Sequence, residues 1–275
     1  MTENSNASQP LPPLCLIGGG QMGRAIVGGL IHAGTIRPDD LVVVDPSAQC
    51  RQWWSDQHPS AKCHASVQTV ETMPPIVLLA VKPPIMQRVA QSAPKQWAGR
   101  LLVSVAAGIT LNSMQTWFGH DRVIRVMPNT PCLVGQGASA FCAAAGATDE
   151  DQGHVKTMLE AVGIAIAVDE KQMNAVTGLS GSGPAYVFTI IEGLADGGVL
   201  AGLPRDLAMQ LAVQTVLGAA TMLKETGQHP GQLKDAVASP AGTTITGLNT
   251  LERRAVRAAM ADAVAAAKQR GDELG

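Results

Sequence analysis

The sequence predicts an α/β chain: a doubly wound parallel sheet over residues 13–172, followed by an all-helical domain over residues 173–275. Three observations carry this. Short apolar runs alternate with segments of helical periodicity through the first part. The first run leads straight into a glycine-rich turn and then a helix. From Asn174 onward apolar residues recur at helical spacing and no strand-like run remains.

Leu14-Cys15-Leu16-Ile17 reads as a buried strand ending in Gly18-Gly19-Gly20-Gln21-Met22-Gly23. Ala25, Ile26, Leu30 and Ile31 then share one helical face, and Gly34 ends that helix. Leu41-Val42-Val43-Val44 is a second strand, closing in Asp45-Pro46. Residues 76–81 form a third, stopped by Lys82-Pro83-Pro84; 101–105 a fourth, ending in Ala106-Ala107-Gly108; and 122–126 a fifth, ending in Met127-Pro128-Asn129. Residues 185–201 read as one apolar helix and 206–225 as another, apolar almost all round. Such a helix is expected to be fully buried, and in a domain of about a hundred residues a partner chain is the natural cover. Gly227 ends it. Pro230 starts a short helix that Pro240 terminates, Thr243 or Thr244 caps the next, and 255–270 form a terminal alanine-rich helix. Residues 1–12 read as a disordered tail, polar and without the basic start or apolar core of a signal peptide.

Composition narrows the function. Apolar residues make up 46% and charged residues only 15%, so much of the surface is expected to meet another subunit. A net charge of −2 and 3% aromatics argue against a nucleic-acid partner. The longest apolar run, 76–81, is too short to cross a bilayer, so no membrane partner is expected. Five cysteines without a C-x-x-C pair fit a reducing cytoplasm rather than disulfides or structural zinc. The six histidines contain no H-x-x-x-H pair, and His58, Cys63 and His64 read as a surface loop, so no metal site is expected.

Gly18-x-Gly20-x-x-Gly23 between strand and helix is the Rossmann dinucleotide pattern. Gly18 permits the tight turn, Gly20 admits a pyrophosphate to the backbone, and Gly23 lets helix and strand pack. The N–H groups at the helix start, including those of Gln21 and Met22, would hold the phosphates. Asp45 ends the second strand 22 residues after Gly23, where an acid accepts both ribose hydroxyls of NAD. Ser47 and Arg51 follow within one turn and suit a 2′-phosphate instead, so both cofactor forms stay open. Lys82 and Pro83, Ala106 to Gly108, and Asn129 also follow strand ends, where ligands of such sheets lie. In the helical part, Ser239-Pro240-Ala241-Gly242-Thr243-Thr244 turns tightly into a helix whose free N–H groups suit a carboxylate.

His229-Pro230-Gly231-Gln232-Leu233-Lys234-Asp235, then Ser239-Pro240-x-Gly242-x-Thr244, Gly247-Leu248 and Leu251-Glu252 resemble the signature of pyrroline-5-carboxylate reductases. The glycine loop, Ala80 to Pro83, Ser104 to Gly108, Met127 to Pro131 and Gly178 to Pro184 match that family in order and spacing. The resemblance implies reduction of 1-pyrroline-5-carboxylate to proline with NADPH or NADH, a Rossmann domain, and a helical domain that interlocks into homodimers, commonly five in a ring. It places substrate at Gly242, Thr243 and Thr244, with Thr244 near the ring nitrogen and Glu170 beside the substrate. It also sets Ser66, Val81, Lys82 and Ala107 around the cofactor. Asp45 departs from relatives that carry a small or hydroxyl residue there.

A protonated ring imine accepts hydride without a strong protein acid, so orientation is the main demand on the enzyme. Two rivals remain. A 3-hydroxyacid dehydrogenase shares the layout but uses a lysine base on the first helix after a similar glycine-rich segment, and residues 172–223 contain no lysine. A non-catalytic nucleotide sensor would not need the Pro240 to Thr244 turn.

Overall fold

The structure is a computed structural model and describes residues 11–274. Residues 1–10 of the expected tail lie outside the described residues; Leu11 is buried, and its N–H donates to the Thr35 carbonyl at 2.9 Å. The chain divides into two compact units. One runs through Gly181 and takes back the chain from Ala267, and the other is Ser182–Ala266.

The first unit is built on one eight-stranded sheet: β1 (Leu14–Ile17), β2 (Leu41–Val44), β3 (Lys62–His64), β4 (Ile76–Leu79), β5 (Leu101–Ser104), β6 (Val123–Met127), β7 (Gly137–Ala143) and β8 (Gly163–Ala167). Their spatial order is β3-β2-β1-β4-β5-β6-β7-β8. All neighbours are parallel except β6 and β7, which run antiparallel. Helices α1 (Gln21–His32), α2 (Ala48–Gln57), α3 (Met86–Ser92), α4 (Pro94–Trp97), α5 (Leu111–Phe118), α6 (Asp149–Glu160) and α7 (Met173–Val176) complete the unit.

Every residue of β1, β2, β4 and β5 is buried. A parallel sheet covered on both faces requires this, and it is why these strands read as unbroken apolar runs. Alternate residues serve two cores: Leu14 and Leu16 pack with Ile26, Leu30, Trp54 and Val155, whereas Cys15 and Ile17 pack with Met86, Trp97 and Met114.

Three strands were not expected. β3 carries Lys62 and His64 at the sheet edge, and the small residues of β7 give no apolar run. Among the described residues β8 pairs only with β7, and Ile164 and Ile166 are exposed. Cys63 and His64 therefore belong to a strand rather than a loop: they pair in register with Val43 and Val44.

α6 is fastened by a reciprocal cap. Thr148 Oγ1 accepts from the Asp151 N–H, and Asp151 Oδ2 accepts from the Thr148 N–H. The Asp151 side chain is 1% exposed and takes two hydrogen bonds from Arg122, Nε at 2.9 Å and Nη2 at 2.8 Å. Burial opposes its charge, but Arg122 and Thr148 together outweigh that and hold the carboxyl below its usual range. A depressed folded-state pKa stabilises above the unfolded value and is lost as pH falls through the folded one. Asp151→Asn is expected to cost about 2 kcal/mol at neutral pH. Denaturant titrations should show that deficit constant down to about pH 4 and shrinking below it; a deficit that does not vary with pH would rule out the charge as its cause.

The second unit holds α8 (Gly183–Leu200), α9 (Arg205–Thr226), α10 (Pro230–Ala236), α11 (Thr243–Arg253) and the start of α12 (Val256–Leu274). α8 and α9 meet through small residues. Ala195, Ala208 and Ala212 are buried, and a Cβ on Gly198 would sit 3.1 Å from that of Ala208. Gly227 ends α9 in the left-handed conformation, φ 63°. Within a single chain the 206–225 helix is only partly covered, and the expectation of full burial rests on a partner chain. Within one chain Leu207, Leu211, Val213, Leu217 and Met222 are exposed, because one neighbouring helix covers only one face. α9 is also long and apolar enough to cross a membrane by length and composition, with 11% of that window buried. The continuous-run criterion overlooked it because Gln210 and Gln214 interrupt the apolar residues.

Candidate active site

The strand order reverses direction at β1, whose neighbours β2 and β4 lead the chain to opposite edges. The carboxyl end of such a switch point leaves a crevice, since the flanking connections diverge above and below the sheet. There the structure opens a cleft of about 780 Å³ at the ends of β1, β2 and β4. Gly18, Gly20, Gln21, Met22, Asp45, Ser66, Val81 and Lys82 line it, all expected from the sequence. Gln68, Ile85, Arg88, Val89 and Ser92 line it as well and were missed. Arg88 lies on α3, and no spacing rule tied to the glycine loop reaches it.

The loop glycines have distinct duties. Gly18 has φ +95°, and a Cβ there would sit 2.7 Å from the Ala80 carbonyl oxygen. A Cβ on Gly23 would meet Gly18 O at 2.6 Å and the Leu16 side chain at 3.0 Å, so Gly23 serves packing beneath the loop. Around Gly20 an added Cβ meets nothing within 4 Å. Gly20 is the N-cap of α1, and among the described residues no side chain caps that end, so the first N–H groups of the helix have neither an intrahelical nor a side-chain partner there. A concave backbone, free N–H groups and the positive end of a helix dipole fit a pyrophosphate.

Asp45 presents a carboxylate already engaged on both oxygens: Oδ2 accepts from Gly19 N at 2.9 Å and Oδ1 from Ser47 N at 2.8 Å. The Ser47 hydroxyl caps α2, accepting from Cys50 N. Arg51 Nη1 donates to the carbonyls of Asp45 and Pro46 at 2.8 and 2.9 Å. Neither Ser47 nor Arg51 lines the cleft, whereas the cations Lys82 and Arg88 do.

Other expected residues take structural positions. Pro83 opens the 3-10 turn Pro83–Ile85. Ala106 is buried, its N–H donating to Ser104 Oγ, while Ala107 is exposed and Gly108 turns the chain at φ 77°. Asn129 is buried and bridges two segments: Nδ2 donates to Ser180 O at 3.0 Å, and Oδ1 accepts from Ala138 N at 2.9 Å. It thereby anchors the π-helical turn Thr177–Gly181. Glu170 Oε1 accepts from Leu111 N at 2.6 Å at the start of α5 and pairs with buried Arg125 at 3.4 Å. Arg125 also donates to Asn174 Oδ1.

In the second unit the expected cap of α11 is corrected. Gly242, not a threonine, is the N-cap (φ −78°, ψ 172°), and the helix begins at Thr243. The preceding turn decides this. Ala241 stands at φ 55°, and a Cβ on Gly242 would collide with Ser239 Oγ. Among the described residues neither the Thr243 nor the Thr244 hydroxyl makes a side-chain hydrogen bond, so both remain available beside the free N–H groups of the first turn.

Comparison with known proteins covers both units. Residues 170–274 match the family described as pyrroline-5-carboxylate reductase dimerisation, and residues 13–108 match that described as NADP oxidoreductase, coenzyme F420-dependent. A pyrroline-5-carboxylate reductase of Arabidopsis thaliana is 47% identical over 94% of each chain. The solved structure of a Coxiella burnetii pyrroline-5-carboxylate reductase superposes with a TM-score of 0.90 at 33% identity, covering 96% of this chain and 98% of that one. A Plasmodium falciparum pyrroline carboxylate reductase, solved with NADP bound, gives 0.87 at 32% identity, covering 97% and 99%. With that identity sustained across nearly the full length of both chains, and the fold shared throughout, the chain belongs to the pyrroline-5-carboxylate reductase family.

Proposed function

We propose that this protein reduces 1-pyrroline-5-carboxylate to L-proline with NAD(P)H, the last step of proline synthesis. The observation that carries this reading is 47% identity over 94% of both chains to a relative of that name. When bound, the reduced nicotinamide supplies a hydride to the carbon of the ring C=N bond, and a proton ends on the ring nitrogen.

The residues of this chain bind and orient. The free N–H groups of Gln21 and Met22, at the mouth left open by Gly20, hold the pyrophosphate. Asp45 faces the adenosine ribose, and Ser66, Val81 and Lys82 flank the cofactor. The start of α11 holds the substrate carboxylate through the N–H groups of Thr243 and Thr244, and Gly242 keeps that approach clear. The Thr244 hydroxyl orients the ring nitrogen. An iminium is electrophilic enough to need no lysine or histidine acid, so most of the barrier reduction comes from holding the imine carbon against the hydride donor. Glu170 and Asn129 are assigned supporting roles, since their bonds to Leu111, Arg125, Ser180 and Ala138 fix the loops that carry them. Residues 13–172 are read as the dinucleotide domain and 173–275 as the helical dimerisation and substrate domain.

The chain forms oligomers through its dimerisation domain. We assign the exposed apolar faces of α8 and α9 to a homodimer, gathered as five dimers. α9 is read as a subunit contact rather than a bilayer span, because Gln210 and Gln214 fall mid-helix and four charged residues stand near its ends. The protein is placed in the cytoplasm with no nucleic-acid partner, in keeping with a net charge of −2.

Cofactor oxidation with 1-pyrroline-5-carboxylate, run in parallel with NADH and NADPH, tests the function. Turnover is expected. With Asp45 at the cleft and Arg51 engaged by carbonyls, NADH should serve at least as well as NADPH; a strong NADPH preference would assign the 2′ position to Lys82 and Arg88. Absence of turnover from folded, cofactor-binding protein would overturn the substrate. Thr244→Val should lower kcat/KM by about tenfold or more while the cofactor Kd holds. Wild-type turnover in that variant would remove Thr244 from the reaction.

A further inference from the structure

Three side chains converge on one residue of the glycine loop: Asp45 from the cleft wall, and Trp54 and Arg24 from outside it. Gly19 N–H donates to Asp45 Oδ2 at 2.9 Å, and the Gly19 carbonyl accepts from Trp54 Nε1 at 3.0 Å and from Arg24 Nε at 3.2 Å. Trp54 is fully buried, and Gly19 lies directly on it: a Cβ there would sit 2.6 Å from Nε1. Arg24 is held in turn by stacking on Trp53, 4.0 Å from the ring centroid.

The described residues contain no cis peptide. In a trans peptide the C=O and the N–H point to opposite sides. Trp54 and Arg24 pull the Gly19 carbonyl away from the cleft, so the N–H of the same peptide, that of Gly20, faces the opposite side. Gly20 is the residue with open space in front of it, and among the described residues its N–H has no acceptor. Three consecutive glycines leave this peptide with little intrinsic preference. If it flipped, a carbonyl oxygen would replace a donor where an anion must sit.

We propose that Trp54, assisted by Arg24, is a positioning residue for the cofactor pyrophosphate: it fixes the Gly19–Gly20 peptide with its N–H toward the ligand. This rests on the reading of the cleft as the dinucleotide site. Trp54 touches no ligand; it acts through one carbonyl.

The test titrates NADH and NADPH into the full-length protein and measures turnover beside it. Trp54→Phe keeps an aromatic ring in the core and removes the N–H donor along with part of the ring volume, a packing loss that the Trp97→Phe control shares. It should raise the cofactor Kd about fivefold, and Trp54→Phe with Arg24→Met by more than about tenfold. kcat at saturating cofactor and KM for the imine should stay within about twofold of wild type. Trp97→Phe is the matched control, because Trp97 is also fully buried and donates Nε1–H to a backbone carbonyl, that of Ala90, at 2.8 Å. It should lower Tm comparably and leave Kd unchanged. Were Trp54→Phe not to fold, Arg24→Met alone carries the same expectation, a Kd raised about threefold. An unchanged Kd in the folded variants, or an equal rise in Trp97→Phe, overturns the proposal. Wild-type protein that binds neither dinucleotide overturns the cofactor reading and the proposal with it.

Discussion

Gly20→Val is expected to yield a protein with wild-type Tm whose affinity for NADH and NADPH is lower by roughly two orders of magnitude, about 2.7 kcal/mol. The backbone at Gly20, φ −71° and ψ −164°, is extended and open to any L-residue, and an added Cβ meets no protein atom within 4 Å. Folding therefore does not require glycine there. The void is on the ligand side, at the mouth of free N–H groups, and an isopropyl group in it takes the place of the pyrophosphate. The neighbouring positions behave differently. At Gly18 a side chain meets positive φ and the Ala80 carbonyl, and at Gly19 it meets the Trp54 indole, so substitutions there should lower Tm as well as affinity. Calorimetry and cofactor titration on the three variants separate the roles. A Gly20→Val protein that binds dinucleotide normally would place the phosphates elsewhere.

This separation shows which parts of the site were legible beforehand. The glycine loop and Asp45 are local features: their spacing follows from one strand, one turn and one helix, and it can be read without knowing what packs on them. β1, β2, β4, β5 and β6 were legible for a related reason, since burial on both faces writes an apolar run into each. β3, β7 and β8 were not. An edge strand of three residues, a strand of mostly small residues, and an edge strand exposing its isoleucines each lack that run. The antiparallel return of β7 is likewise set by the turn at Thr130–Val134 rather than by any pattern within the strand.

What stayed hidden in the site depends on distant pairs. Trp54 reaches Gly19 across 35 residues, and Glu170 reaches Leu111 across 59. Adjacent tryptophans such as Trp53 and Trp54 signal ring packing on a helix, and that pattern is silent about where the indole N–H points. Arg88 and Val89 reach the cleft from α3, a matter of helix placement rather than motif. The cap of α11 differs from the expected threonine because a hydroxyl that can accept an N–H signals a cap, whereas glycine caps about as well without such a group. The steric limit at Gly242, set by Ser239 three residues earlier, decides which residue stands outside the helix.

Leu211→Glu on α9 is expected to separate the subunits and to abolish turnover at micromolar protein. Within one chain α9 gives Ala208 and Ala212 to α8 and leaves Leu207, Leu211, Val213, Leu217 and Met222 uncovered, Leu211 half exposed. α8, packed on α9, exposes Phe188 and Leu194 as well. A helix pair that leaves this many large apolar side chains uncovered has the character of a subunit contact. In a two-fold contact one substitution acts twice, so two unpaired carboxylates would enter an apolar interface, each costing on the order of 3 kcal/mol. The dissociation constant should then rise by more than about a thousandfold. Sedimentation should report monomer where the wild type reports oligomer, and Tm should lose its dependence on protein concentration. Cofactor affinity provides the internal control: the cleft residues all lie in the first unit, so a folded monomer should keep it. Wild-type mass in the Leu211→Glu protein would take this face of α9 out of the subunit contact and leave its exposed leucines to be covered by something other than a second copy.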